Sequence, residues 1–251
     1  MPDIVVHTQF GAEVVGRLQP DLDRRIFDFG LLGPDPYLFY RWFVPPLRSR
    51  VSRYASVMHR EHTADFLIEL ARRGAHSRAV FSYLCGFLCH YALDSTAHPY
   101  INRLAHNSGA MHMAIEHRLD RMSGGNIRIP PFLPESMRPD VGGAITRIYG
   151  WTDAWDMLRE GRRDMASFYR IVTDQSGRLD RLTRKTHTKL GLISYKSKAI
   201  DDMDLSGFEP LYRQALTDAI GFIKAAQAFA VGELTEAQLR NIIGNRSYIE
   251  G

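Results

Sequence analysis

From Ala79 to Leu93 the sequence is almost continuously apolar, and polar side chains then recur every four residues at His90, Asp94 and His98. The stretch is too short for a bilayer span of about 20 residues and carries Ser82 and His90 inside it, so it reads as a buried helix. On a helix, each four-residue step turns about 400°, so these three groups share one face with about 40° of drift per step. One apolar helix therefore presents two imidazoles and a carboxylate together.

The rest of the chain reads as helix too. No pair of alternating strands joined by an Asn-Gly or Asp-Gly turn occurs, which predicts an all-α fold. Helices are expected over Gly11 to Leu18 and Asp21 to Phe29, followed by a rigid loop around Pro34 and Pro36 that traps Asp35. A helix from about Ser52 to Arg73 comes next. Ser77 can cap the apolar helix, which should end at His98 because Pro99 disfavours helical geometry in the residue before it. A helix from about Ser108 to Met122 stops at Gly124. Ser206 with Glu209, and Thr235 with Gln238, fit capping boxes. The segment from about Ser176 to Asp204 reads as loop.

The stretch IPPFLPESMRPDVGG is rich in proline and divides the chain. We expect a metal-binding helical core over 1–128, a linker over 129–143, and a C-terminal helical part over 144–251 packed on the core as one domain. Of the ten histidines, nine precede Pro130, so the chemistry is expected in the first part. The start, MPDIVVHTQFG, lacks the basic flank and apolar core of a secretory signal, which predicts a cytoplasmic location. Cys85 and Cys89 read as reduced core thiols. Between Arg147 and Lys198, 12 Lys and Arg stand against 6 Asp and Glu, a face that would attract phosphates, an anionic membrane surface or nucleic acid if it is not simply a solvated helix surface.

An unpaired carboxylate among Phe87, Leu88, Tyr91 and Leu93 would carry a large desolvation cost, which a bound divalent cation reverses. Metal is the simplest explanation. His112 and Glu116 repeat the pattern one turn apart, and zinc accepts such nitrogen and oxygen ligands. A lone histidine on an apolar face is more often core, and a lone His–carboxylate pair is often just a helix pair. It is the combination of two such pairs with His98 and Asp35 that points to a metal. His59 and His62 are three apart, so one can join the cluster while the other faces away.

These residues resemble the zinc-dependent phospholipase C and P1-type nuclease group, in particular its small bacterial members. The resemblance rests on MPDIVVHTQFG, on GPDP at 33–36, on Met58-His59, on GFLCHYALDSTAHPY at 86–100 and on HMAIE at 112–116, all in the family's order. It implies an all-helical domain with two or three zinc ions in one cleft. One ion would be held by Asp35, His59, His90 and Asp94, and a second by His98, His112 and Glu116. A third would be held by the mature N-terminal residue, His7 and Asp94. Family members with three ions expose an N-terminal tryptophan, whereas this sequence reads Met-Pro. The spacing from Asp94 to His98 is also shorter than in the secreted lipases.

The resemblance further implies phosphodiester hydrolysis, with Asp35 orienting or deprotonating the attacking water. Such a site would act on a phosphodiester substrate such as a phospholipid headgroup or a nucleotide, and no protein partner is indicated. Tyr37 is a candidate wall of the substrate pocket, with an ordinary buried tyrosine as the other reading. A second class of function stays open: a non-catalytic helical module with structural zinc that binds a ligand or partner. A closed coordination shell would mark the second, an open position the first.

Overall fold

The structure is a computed structural model that describes residues 4–173 and 194–248, with only the backbone of 45–49. The described residues form helices and connecting turns, with no strand. In chain order the α-helices are α1 (Ile4–Leu18), α2 (Arg24–Gly30), α3 (Pro36–Phe39), α4 (Pro45–Met58), α5 (Thr63–Gly74) and α6 (Arg78–Ala105). There follow α7 (Gly109–Ser123), α8 (Gly143–Tyr149), α9 (Ala154–Val172), α10 (Phe208–Ala230) and α11 (Glu236–Ile243). The all-α expectation is met. None of these helices is long and apolar enough to cross a membrane.

The axis of the fold is α6, and its apolar sequence explains why. Nineteen of its 28 residues are buried, so it is covered on every side, by α2, α5 and α10 above all. The Ser77 hydroxyl caps its start by accepting from the Val80 N–H at 3.3 Å. Its end differs from the expectation: the helix does not stop at His98 but runs through Pro99 to Ala105. An interior proline costs roughly 3 kcal/mol through a lost hydrogen bond and a ring clash. Burial of Ala97, His98 and Ile101 against neighbouring helices outweighs that local preference. His98 therefore keeps its helical register with Asp94.

A second difference is the break in the helix expected over Ser52 to Arg73. It ends at Met58 and restarts at Thr63, with His62 in the left-handed region at φ 55°. Residues far along the chain make this break. The His59 carbonyl, which a continuous helix would offer to Thr63, accepts the Tyr248 N–H at 2.7 Å instead. Asn245 Oδ1 accepts from the Ala64 N–H at 3.0 Å and from the Thr63 hydroxyl at 2.9 Å, supplying the cap of α5 from outside the helix.

The proline-rich stretch is packed rather than loose: Leu133, Met137 and Val141 are buried in the common core, in a short 3₁₀ turn (Glu135–Met137) and a π turn (Arg138–Gly142) leading into α8. The Thr235–Gln238 capping box forms, whereas α10 starts at Phe208 without help from Ser206. The predicted loop lies partly in 174–193, outside the described residues. In the described part of the basic segment, Arg159 pairs with Glu135, and Arg162 donates to the carbonyls of Pro130 and Ile129.

One close helix crossing sets a testable limit. A Cβ on Gly86 would lie 2.1 Å from the Phe27 carbonyl oxygen and 2.9 Å from the Gly30 Cα, so α2 and α6 touch backbone to backbone. Gly86→Ala should therefore destabilise the protein by roughly 1–3 kcal/mol, the usual cost of forcing extra volume into a packed core. The urea midpoint of the metal-free protein should fall, with the slope of the transition unchanged.

Candidate metal centre

Four segments meet along one face of α6. That helix contributes His90, Asp94 and His98, all buried, with His90 and Asp94 completely so. His7 comes from α1, Asp35 from the turn before α3, His59 from the residue ending α4, and His112 with Glu116 from α7. Each arrives for a local reason. Two of the first N–H groups of α1, those of Val5 and Val6, donate to the buried carboxylate of Asp120 at 3.0 and 2.8 Å, which fixes the helix bearing His7 against α7. Gly33 has φ 53°, and a Cβ there would meet the His90 ring at 2.2 Å, so only glycine lets the Asp35 turn close over that imidazole.

Two groups of ligand atoms result. Asp35, His59, His90 and Asp94 offer one atom each, all within 4.8 Å of one another, and His98, His112 and Glu116 do the same. In the first, His59 Nε2 is 3.3 Å from Asp35 Oδ1, and His90 Nε2 is 3.2 Å from Asp94 Oδ2. In the second, His112 Nε2 lies 2.6 Å from Glu116 Oε1, and His98 Nε2 lies 3.7 Å from the same oxygen. Asp94 joins the two, with Oδ2 also 3.6 Å from His98 Nε2. Its Oδ1 is 3.1 Å from Nε2 of His7, whose ring stacks on His90 at 4.6 Å.

The hydrogen bonds on the far side of each ring decide which nitrogen is available. His59 Nδ1 faces the Ala55 carbonyl at 2.6 Å, His90 Nδ1 the Leu31 carbonyl at 3.1 Å, and His98 Nδ1 the Tyr248 carbonyl at 2.6 Å. His112 Nδ1 faces Asn102 Oδ1 at 2.7 Å. A carbonyl oxygen only accepts, so Nδ1 carries the proton in each ring and Nε2 of the neutral imidazole presents a lone pair. Those lone pairs point at carboxylate oxygens, which also only accept. Nε2 of His7, His59, His90 and His98, Oδ1 of Asp35 and both oxygens of Asp94 are buried without a hydrogen bond. Acceptors facing acceptors in a buried space suit a cation, and the oxygen partners on the far side of each ring hold it in the orientation a ligating imidazole needs. The donor set therefore fits zinc.

Burial dominates the protonation of these rings. It lowers the His90 pKa to about 4 and depresses those of His98 and His112 as well. For Asp94 burial acts upward, but the facing His90, His98 and His7 outweigh it and hold the carboxyl below its ordinary range.

The two groups differ in access. Above the second lies a cleft of about 380 Å³ lined by Leu38, His59, Arg60, His98, Asn102, His112, Met113 and Glu116 among others. Tyr37 is not one of its walls: the ring is buried and its hydroxyl donates to the Ala154 carbonyl at 3.0 Å, so the neighbouring Leu38 lines the cleft instead. His62 is exposed and pairs with Asp65 at 2.9 Å, away from the centre. The sequence reading missed Asn102 and Tyr248. Asn102 lies four residues after His98, a signal concealed by the assumption that Pro99 ends the helix. Tyr248 has no local signal at all.

Comparison with known proteins places the chain. The family model described as zinc dependent phospholipase C matches residues 6–189, well over half of the chain, and the protein belongs to that family. No curated protein and no solved structure matches it.

The depressed imidazole pKa values predict how the metal-free protein responds to acid. The unfolded chain takes up protons near pH 6.5, where the folded one does not, so stability is full above that pH and is lost as the pH falls toward 4. Urea midpoints measured with chelator present should drop between pH 7.5 and 5. Zinc should compete with those protons and flatten the loss while it stays bound.

Proposed function

We propose that this protein is a zinc-dependent phosphodiester hydrolase of the phospholipase C type. The observation that carries this reading is the row of proton-free Nε2 atoms facing carboxylates under an open cleft. Asp35, His59, His90 and Asp94 would hold one ion, and His98, His112 and Glu116 a second. His7 with Asp94 is the start of a third site, whose remaining part would come from residues before Ile4, outside the described ones. Bound zinc supplies a Lewis acid for phosphate oxygens and lowers the pKa of a coordinated water.

The side chains supply the rest. Asp35 serves as ligand and as the base that orients the attacking water and takes its proton, because its buried Oδ1 has no hydrogen bond of its own. Nδ1–H bonds to carbonyls keep His59, His90 and His98 from turning and leave them without a proton to donate toward substrate. At the mouth of the cleft, Arg60 has no carboxylate partner among the described residues and offers positive charge to a phosphodiester anion. Leu38 and Met113 provide apolar wall for the remainder of the substrate, a phospholipid headgroup or nucleotide. An anionic membrane surface is the proposed docking partner for a lipid substrate. The open cleft favours this reading over a purely structural zinc.

Elemental analysis together with turnover of a chromogenic aryl phosphodiester tests the reading. Two or three zinc ions per chain and zinc-dependent turnover are expected. Less than one equivalent after adding zinc would overturn it. Within that test, Asp94→Asn preserves volume but removes the charge shared by both groups, so zinc content should fall at more than one site and turnover at least a hundredfold, toward the upper end of what single ligands and their supporting shell contribute. His62→Ala should leave both unchanged, since that ring is exposed and paired with Asp65.

A further inference from the structure

Residues 244–248 form a strap that reaches the centre through Tyr248. The Tyr248 backbone does two things at once. Its N–H donates to the His59 carbonyl at 2.7 Å, and its carbonyl accepts from His98 Nδ1 at 2.6 Å. His59 belongs to the first ligand group and His98 to the second. The Tyr248 ring adds contacts with His59 at 5.0 Å and His90 at 5.8 Å between centroids.

The strap itself is anchored by bonds that leave it little freedom. The Tyr91 hydroxyl accepts the Arg246 N–H at 2.9 Å and donates to the Ile243 carbonyl at 3.1 Å. Arg246 pairs with Asp218 at 2.7 Å. Asn245 caps α5 and so maintains the break that turns His59 inward and His62 outward. Residues 244–248 also lie beyond the 6–189 that the family model matches.

We infer that the strap is a positioning element of the metal centre, in which the Tyr248 backbone couples the ligands of the two groups and Asn245 fixes the backbone that presents His59. This rests on the zinc reading above. A carbonyl on Nδ1 fixes the tautomer of a ligating imidazole and raises its basicity, and losing such a partner typically weakens metal binding 10–100-fold. Because the backbone of one residue serves both groups, displacing it should weaken both, whereas loss of a ligand weakens its own group most.

The test is zinc affinity, read by competition with a chromogenic chelator on full-length protein, with far-UV circular dichroism to verify folding. Tyr248→Pro removes the N–H donor to the His59 carbonyl and, by fixing φ, shifts the carbonyl that holds His98 Nδ1, so it should weaken both sites about 10–100-fold. Asn245→Ala, at an exposed position, should fold and move affinity the same way, and Asn245→Asp, which keeps the acceptor oxygen, should restore it. His112→Ala should lose one ion and retain the other. Leu239→Ala, a cavity in α11 away from the centre, controls for general loss of stability and should bind zinc as the wild type does. Wild-type affinity in folded Asn245→Ala and Tyr248→Pro, or an equal loss in Leu239→Ala, would overturn the inference. If Tyr248→Pro does not fold, Asn245→Ala and Asn245→Asp decide it. A wild-type chain that binds no zinc would instead overturn the functional reading beneath it.

Discussion

The interaction on which the structure depends is the burial of the Asp94 carboxylate inside an apolar helix. Removing an ion from water costs several kcal/mol even after relaxation, and partial pairing does not recover it. Asp94 is fully buried, lies within 3.9 Å of four imidazoles, and has no hydrogen bond of good geometry. His59, His90 and His98 cannot supply it with protons while carbonyls hold their Nδ1–H groups. What satisfies the arrangement is positive charge from a cation, and the second carboxylates, Asp35 and Glu116, stand where two such charges would need balancing.

Everything else serves to bring ligands to that point without water following. The aromatic core behind α6 includes Phe27, Phe29, Tyr83 and Phe87, which with the backbone-close crossing at Gly86 holds α2 firmly enough for the next turn to press Gly33 against His90. Rigid placement of this kind is what metal chemistry requires, because a ligand displaced by an ångström loses much of its function. The asymmetry of the result has chemical meaning. His90 and Asp94 lie deep, whereas His59, His98, His112 and Glu116 border the cleft, so the second group is the more open and the first reaches the cleft through His59.

Much of the ligand set could be read from the sequence because its spacing and helical geometry share a period. His90, Asp94 and His98 share a face on any regular helix, and His112 with Glu116 needs only one turn. The capping box at Thr235 is local for the same reason. Asp35 stands out because prolines on both sides limit its backbone. These features require only the first few neighbours along the chain, and resemblance to the zinc dependent phospholipase C family gathered them into two ion sets that the structure also brings together as two groups.

Other features were decided only when distant segments met. A proline signal suggested that α6 stops at His98, but burial in the tertiary core carried it on to Ala105, which brought Asn102 onto the site face. An unbroken helical pattern ran through residues 59–62, but Asn245 and Tyr248 took the hydrogen bonds that would have continued it. Tyr37 turned into the core and left the cleft to Leu38, a choice set by the Ala154 carbonyl on α9. The sequence by itself determined which side chains could share a helical face, since that follows from 3.6 residues per turn. Tertiary structure decided where helices end and which nitrogen each histidine presents, since both depend on hydrogen-bond partners that no local pattern contains.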